Sequence, residues 1–412
     1  MYDLRLTPEQ LEFRDTVRDF VDSEVKPAAL SPKRLEPFEK PLLTDVLDKA
    51  SQMGLRALAL SEEAGGAGAD GLTACIVLEE LGAGDVDVAT VLAQTAALGQ
   101  ALFDRLMTPE QRKRYLPKFV ADERFHLAFA GRAPDAGIGW SYHRPRAAES
   151  GDEPVAARKG NEWVINGTVA FVANAPVAKL IAVQVRTDPK KAGVSTLLVP
   201  RDAPGLTVRE PLRAVGDAVR WHHGSGAAVA FKDCRVPADH LLGNEGRSPL
   251  AASAEHACSV PLLAAVNLGL GRAAYEAALD YAKIRRQGGR MIVEHQAIGT
   301  KLADCAIRLE LARTAIWKAA WVLDHPDAVS DRSVSDLPLH VVARVYTAEA
   351  VNDVALLAAE CFGAMGVMRD MPLQKYVHDA MVFLHAEDAD GAAKLAVAEA
   401  VVGYQRPAAD AA

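Results

Sequence analysis

Residues 231–246 read FKDCRVPADHLLGNEG, and the character of the chain changes within this stretch. Before it come short runs rich in β-branched residues, such as WVING (163–167), LIAVQV (180–185) and VSTLLVP (194–200), bounded by Gly, Pro, Asn and Asp. Such runs and boundaries are typical of antiparallel strands. After it, long Ala- and Leu-rich stretches repeat their apolar residues with helical spacing. Residues 231–246 therefore mark the passage from a sheet to a helical bundle.

The first third of the chain is also predicted to be helical. In LTPEQLEFRDTVRDFVDSEV (6–25), one helical stripe consists of Leu11, Val17, Phe20, Val21 and Val25. Thr7 suits an N-cap, Pro8 suits the first helical position and Gln10 completes a capping box. The same TPEQ recurs at 108–111.

This order of helices, strands and helices predicts a mostly α protein with a β insert. We predict an N-terminal helical domain (1–124), a middle antiparallel β-barrel or sheet domain (125–242) and a C-terminal four-helix bundle (243–412). Asn166-Gly167 is the strongest single turn signal. No βαβ alternation occurs and no GxGxxG follows a predicted strand, so a Rossmann domain is disfavoured.

Composition excludes several function classes. The 54 acidic residues outnumber the 46 basic residues, and the net charge of -8 argues against a nucleic-acid surface. No run of eighteen apolar residues occurs and the start MYDLRLTPEQ is unlike a secretory signal, so no membrane partner is expected. The five cysteines lack metal-ligand spacing. We interpret them as core residues of a cytoplasmic protein without a metal site.

Four stretches make the chain resemble the acyl-CoA dehydrogenase family over about positions 4 to 403. They are residues 231–246, ALDYAKIRRQGGRMIVEHQAIGTKLAD (278–304), ECFGAMGVMRDMPLQKYVHDA (360–380) and VINGTVAFVANA (164–175). The resemblance implies an acyl-CoA dehydrogenase-like fold, a homotetramer or a heterotetramer with a related subunit, and FAD bound in an extended form. It also implies an acyl-CoA substrate and an electron-transfer flavoprotein as the electron acceptor.

The same resemblance implies α,β-dehydrogenation and points to Glu387 as the base. Glu387 stands in DAMVFLHAEDADGAAK (379–394), where family members have Gly and Thr after the base but this chain has Asp388 and Ala389. A base for a thioester α-proton must be desolvated so that its pKa rises. The alternative is that Glu387 and Asp388 form a helix N-terminal turn. Ser259 stands where other members hold the base, and Glu255, a turn earlier, is a remote substitute.

At the adenosine end, Arg285 and Gln287 match family positions that contact the pyrophosphate and the adenosine. Arg285 with its neighbours Arg286 and Arg290 can also be read as a solvated helix end. Gly288 stands in place of an aromatic residue.

The glycine-rich turn keeps Gly363 and Gly366, which can equally be a helix stop. Glu360 replaces a glutamine there, and a carboxylate near a pyrophosphate is repulsive.

At the flavin end, the resemblance implies that Phe171 packs on the isoalloxazine edge. Ala173 and Gly131 stand where family members offer side chains to the flavin, and Ala173 has no hydroxyl. One group of residues has no family counterpart, and we interpret it as solvent-facing loops, the alternative being the rim of an acyl pocket: Trp140, Tyr142, His143, Trp221, His222 and His223. The preferred hypothesis is an active dehydrogenase. The first alternative is a catalytically impaired partner subunit of a heteromeric enzyme. A second is a family relative that uses flavin for another reaction, such as nitroalkane oxidation or hydroxylation.

Overall fold

The computed structural model describes residues 5–32, 41–131, 154–187, 193–209, 222–250, 253–368, 370–385 and 389–403. Six helices precede the strands: α1 (Pro8–Phe20), α2 (Lys26–Ala29), α3 (Thr44–Gln52), α4 (Gly71–Gly84), α5 (Val86–Gly99) and α6 (Pro109–Ala121). Two π-helical turns, Val21–Val25 and Gln100–Leu106, follow α1 and α5.

Both TPEQ sequences begin helices with the predicted capping box. The Thr7 hydroxyl accepts from the Gln10 N–H while the Gln10 side chain accepts from the Thr7 N–H, and Thr108 and Gln111 repeat the pattern. In the predicted stripe, Val17, Val21 and Val25 are buried and Phe20 is half-buried, but Leu11 is exposed. Gln10 and Val17 are the buried residues of α1, so Leu11, one residue after Gln10, lies off the buried face. The π-helical turn that follows α1 changes the helical phase only from Val21 onward.

The strands form two four-stranded sheets, in the orders β1–β4–β5–β8 and β2–β3–β7–β6. Their bounds are β1 (His126–Ala130), β2 (Val155–Lys159), β3 (Glu162–Ala173), β4 (Ala178–Val185), β5 (Ser195–Pro200), β6 (Leu206–Arg209), β7 (Gly226–Pro237) and β8 (Leu241–Leu242). Pairing is antiparallel except between β1 and β4, which run parallel. A hydrophobic core lies between the sheets, with Trp163, Val183 and Phe231 among its buried residues.

The predicted turn at Asn166-Gly167 is wrong. Both residues lie inside β3, where the register against β7 shifts between Ile165 and Gly167. Gly167 has φ +135°, a backbone conformation that glycine adopts more readily than other residues, and it forms an irregularity in the strand. The hairpin turn lies at Gly160, since Lys159 pairs with Glu162.

The C-terminal helices form a bundle that packs on α4 and α5. They are α7 (Ser253–Ile284), α8 (Gln296–Asp324), α9 (Asp327–Ser330), α10 (Leu339–Phe362), α11 (Leu373–His385) and α12 (Ala389–Val402). A two-stranded hairpin, β9 (Arg286–Gln287) and β10 (Arg290–Met291), follows α7. α4 and α7 approach closely at Gly82 and Gly269, because a Cβ at either residue would lie 2.2–2.3 Å from a carbonyl oxygen of the facing helix.

The side chains of four of the five cysteines are described, and these four are buried and form no disulfide among the described residues, as expected of core residues. Two helical stretches, Val86–Leu106 and Leu339–Val367, have the length and apolar composition that would let them cross a membrane. Most of Val86–Leu106 is buried within the protein. Core helices of soluble proteins pass the same test, so this is weak evidence for a membrane span.

Candidate functional site

The strand predicted to face the flavin is β3, which ends with Phe171, Val172 and Ala173. Phe171 is half-buried, and its ring packs on the His222 ring with 4.7 Å between centroids. Gly226 pairs with Ala173, and a Cβ at Gly226 would lie 2.2 Å from the Phe171 ring. The glycine therefore gives the Phe171 ring the room to lie against β7.

Gly131 directly follows β1. A Cβ at this position would lie 2.2 Å from the Phe129 ring and 2.7 Å from Gln184 Oε1. No side chain fits here without movement of these two neighbours, so position 131 offers only its backbone to a ligand. The following residues, 132–153, lie outside the described part of the chain.

The second group of predicted cofactor residues lies at one end of the bundle. The Tyr281 ring in α7 stacks on the Phe362 ring in α10 with centroids 4.1 Å apart, which brings the C-terminal ends of these helices together. Arg285 and Gln287 follow Tyr281, and both are exposed. Within the described ranges, the Arg285 guanidinium pairs with no carboxylate. A cation of this kind is available to bind an anion.

Glu360, which the sequence suggests is repulsive to a pyrophosphate, forms an ion pair with Lys301 at the start of α8. The hydrogen bond to Glu360 raises the pKa of Lys301 above its ordinary value. Lys301 is therefore charged at neutral pH, and it offsets the negative charge of Glu360. Sequence reasoning missed Lys301 because it is 59 residues away along the chain.

The two glycines of the glycine-rich turn have different roles. Gly363 is the C-cap of α10 with φ +57°, so the helix-stop interpretation describes its conformation, and no atom of the described residues lies within 4 Å of a Cβ built there. Gly366 is buried, and a Cβ there would lie 2.6 Å from the Ala359 carbonyl oxygen. The turn is open at Gly363 and closely packed at Gly366.

His295 is a second residue that sequence reasoning missed. Its Nε2 lies 3.0 Å from the Gln287 carbonyl oxygen, which can only accept, so Nε2 donates. A Cβ at Gly288 would lie 3.5 Å from His295 Cε1. An imidazole ring therefore lies beside the position where the family resemblance implies an aromatic ring.

The candidate base, Glu387, lies outside the described residues, between the end of α11 at His385 and the start of α12 at Ala389. Its role therefore stays a prediction. Ser259 is half-buried and Val260 is buried in α7. The Glu255 side chain is likewise outside the described part.

The prediction that His222 and His223 face solvent is wrong. His222 is half-buried, and the side chain of His223 is 5% exposed and lies 3.6 Å from Asp87. Trp140, Tyr142, His143 and Trp221 lie outside the described residues. The described ranges contain no group of three or more His, Cys, Asp or Glu residues that could hold a metal ion.

A cavity lies where α4, α5, α7 and the end of α8 meet. Its open volume, counted out to the solvent at its mouth, is about 430 Å³. Pro261 and Leu262 of α7 and Ala97 of α5 line it, and Arg105 and Asp324 are its charged residues. Burial raises the pKa of Asp324 despite a hydrogen bond from the Gly71 N–H. Small side chains on α4 and α5 thus leave room next to the start of α7.

Three models of one family match the chain. They are the acyl-CoA dehydrogenase N-terminal domain over residues 7–123, the middle domain over 148–226 and the C-terminal domain over 260–402. The chain belongs to the acyl-CoA dehydrogenase family. Members of this family are FAD-dependent oxidoreductases.

Similar proteins match this acyl-CoA dehydrogenase family member along nearly its whole length. The probable acyl-CoA dehydrogenase YngJ of Bacillus subtilis is 30% identical, over 95% of this chain and 98% of its own. The mitochondrial isobutyryl-CoA dehydrogenase of Dictyostelium discoideum is 29% identical, over 95% and 89%. The solved structure of butyryl-CoA dehydrogenase from Megasphaera elsdenii has a TM-score of 0.82 at 23% identity, over 97% of this chain and all of that one.

The described residues fit FAD at its phosphate end. Arg285 is exposed without a carboxylate partner in the described ranges, and Lys301 offsets the charge of Glu360. The open space at Gly363 leaves the backbone accessible to a ligand. At the flavin end, Phe171 offers an aromatic ring, whereas Ala173 offers no hydroxyl.

Proposed function

We propose that this protein is an FAD-dependent acyl-CoA dehydrogenase that removes the α-proton of an acyl-CoA thioester with Glu387 and passes the electrons to an electron-transfer flavoprotein. The observation that carries the proposal is the match to all three family domains, together with the cation Arg285 at the bundle end, which has no carboxylate partner among the described residues. FAD, when bound, supplies the acceptor for the hydride that leaves the β-carbon. Arg285 and Gln287 would hold its phosphate and adenosine part, and Phe171 would contact its ring system.

The role of Glu387 follows from the chemistry of the substrate. A thioester α-proton is weakly acidic, so its removal needs a carboxylate whose basicity is raised by an apolar environment. Val382 is buried and Phe383 and Leu384 are half-buried in the last turn of α11, so apolar side chains precede Glu387.

We propose a short or branched acyl group as the substrate. The similar proteins named for isobutyryl-CoA and butyryl-CoA support this class. The cavity beside Pro261 and Leu262, with alanine side chains on its walls, also supports room for a compact group.

The experiment is anaerobic mixing of the purified, yellow protein with butyryl-CoA and isobutyryl-CoA while the flavin absorbance is recorded. We expect the band to bleach with the wild type and to persist with Glu387→Gln. The control is Asp388→Asn, which changes the adjacent carboxylate and should still bleach. Colourless protein that stays inert with both thioesters, or equal bleaching by Glu387→Gln, would contradict the proposal.

A second candidate is a partner subunit of a heteromeric dehydrogenase. Ala173 and Gly131 favour it, because neither offers a side-chain polar group at the flavin end. Exposed apolar residues of α8 and α10, Ile307, Leu311 and Leu356, support an assembly of subunits in either case. Flavin stoichiometry separates the two. One FAD per chain in a homotetramer rules out the partner-subunit role, whereas less than one FAD per chain, restored by a related subunit, supports it.

A further inference from the structure

The segment His222–Gly224 lies between the candidate flavin strand and the N-terminal helices. The His222 ring packs on Phe171 of β3. The Gly224 N–H donates to Asp87 Oδ1 of α5 at 3.0 Å. A Cβ at Gly224 would lie 3.2 Å from Thr90 Cγ2, which shows how closely this backbone lies on α5. The segment is thus held on two sides, by β3 and by α5.

His223 connects the segment to a third element, α11. Its Nε2 lies 2.9 Å from the Asp379 carbonyl oxygen, and since a carbonyl only accepts, Nε2 carries a proton and donates it. Its Nδ1 lies 3.6 Å from Asp87 Oδ1. Its ring packs on Phe383 of α11 with 4.1 Å between centroids. One imidazole therefore joins α5 to α11.

The groups around this imidazole are charged and buried. The side chains of Asp87, Lys375 and Asp379 are at most 2% exposed. Lys375 Nζ lies 2.8 Å from Asp379 Oδ2. Burial would lower the pKa of Lys375, but Asp379 and the nearby Asp85 raise it above its ordinary value. The Lys375–Asp379 pair lies within α11, but Asp85 and Asp87 at the start of α5 also act on Lys375. Buried charges are costly unless their partners stay in place, so displacement of α11 away from α5 is unfavourable.

The position of α11 matters for the chemistry proposed above. α11 packs on α10 and α7 of its own bundle, and it ends at His385, two residues before Glu387. We propose that His223 is a positioning residue for proton removal: it holds α11 at a fixed place relative to β3 and so sets the base relative to the flavin face. This inference rests on the proposed function. Misplacement of a reacting group by about 1 Å can cost roughly 100-fold in rate.

Two variants separate the contact with α11 from the contact with α5. In His223→Gln the amide nitrogen can replace Nε2 and still donate to the Asp379 carbonyl. In His223→Asn the amide nitrogen replaces Nδ1, so the contact with Asp87 remains while the contact with α11 is lost. The measurement is the maximal rate of flavin bleaching by butyryl-CoA in rapid mixing, with the dissociation constant for the thioester, the flavin content and the melting temperature recorded for each variant.

We expect the maximal rate to fall by about 10- to 100-fold in His223→Asn, because loss of the contact with α11 lets the base move out of place. In His223→Gln, which keeps that contact, we expect a loss of no more than about threefold. The thioester affinity and flavin content should stay close to those of the wild type. The control is His325→Asn. His325 Nδ1 also lies 2.9 Å from a carbonyl oxygen, that of Trp321, and its ring stacks on Trp321, but His325 is exposed at the end of α8. We expect the wild-type rate from this variant.

A wild-type rate in His223→Asn overturns the inference, as do equal losses in both His223 variants. So does a rate loss that follows a loss of flavin or of melting temperature, because that outcome indicates packing alone. If the wild type itself does not bleach, the proposed function fails and this inference fails with it. Bleaching by the wild type and by both His223 variants at one rate overturns only the inference.

Discussion

Replacement of Glu80 by Gln removes one charge from a buried ion network that joins the N-terminal helices to the bundle. Glu80 of α4 is 3% exposed and accepts from both Arg272 of α7, at 2.6 and 2.7 Å, and Arg18 of α1, at 2.7 and 3.1 Å. Desolvation would raise the pKa of Glu80, but these hydrogen bonds outweigh it and lower the pKa below its ordinary value. The carboxylate is therefore ionised at neutral pH.

The size of the effect follows from the partners that Gln would leave behind. Removal of one member of a buried ion pair costs about 3–5 kcal/mol. The Arg18 side chain is 44% exposed, so water can replace its lost contact. Arg272 keeps weaker contacts at 3.6 Å with Glu79 and with Glu276. We therefore expect Glu80→Gln to lower the free energy of unfolding by about 3 kcal/mol, at the low end of that range.

The assay is urea unfolding followed by circular dichroism at pH 7 and at pH 4. The control is Glu310→Gln, because Glu310 is 70% exposed although it pairs with Arg313 at 2.7 Å. Such exposed pairs contribute up to about 1 kcal/mol. Because folding lowers the pKa of Glu80, the stabilisation is complete above the unfolded-state pKa of about 4.3 and is lost as the pH falls through the folded-state pKa. The deficit of Glu80→Gln should therefore shrink below about pH 4. Wild-type stability of Glu80→Gln at pH 7, or a deficit that does not change with pH, would refute the reasoning.

Two further predictions concern a helix crossing and the cofactor site. Gly82→Ala should lower the melting temperature, because its Cβ would lie 2.3 Å from a main-chain oxygen of α7. Gly299→Ala should raise stability by about 0.5–1 kcal/mol, because Gly299 lies in α8 and a Cβ built there has open space around it. Equal changes of melting temperature in Gly82→Ala and Gly299→Ala would contradict both predictions. Lys301→Met should weaken FAD binding by about fivefold, because the charge of Glu360 loses its partner and exposed charge pairs contribute up to about 1 kcal/mol. Lys394→Met, at another exposed ion pair, is the control. Equal FAD affinity in the Lys301 and Lys394 variants would contradict the role of Lys301 at the FAD site.

The sequence predicts the local features of this fold better than its pairings. The capping box at Thr7 depends on residues three apart, so the local pattern contains all the information needed. The predicted turn at Asn166-Gly167 fails because the pairing of β3 with β7, about 65 residues away, outweighs a local turn preference. The predicted stripe fails at Leu11 for a similar reason, because Gln10, one residue earlier, is buried instead and its amide donates to Thr73, 63 residues away along the chain.

Contacts between residues far apart in the sequence also limit what could be predicted about the site. The sequence gives no sign that His223 is buried, because its partners Asp87 and Asp379 lie more than 130 residues away on either side. Lys301, 59 residues from Glu360, is hidden in the same way. The positions of Arg285 and Gln287 beside a helix end could be predicted, because the end of α7 and the hairpin follow each other directly in the chain.

Two departures from the family pattern are offset by neighbours that only the structure reveals. Glu360 would repel a pyrophosphate, but Lys301 pairs with it. Gly288 has no ring, but the imidazole of His295 lies beside it. The charge that opposes FAD at the bundle end is thereby offset, while Arg285 remains available within the described ranges. The loss of a hydroxyl at Ala173 concerns the flavin end alone. The physical obstacles to cofactor binding are therefore fewer than the sequence suggests, which favours the active dehydrogenase over the impaired partner subunit.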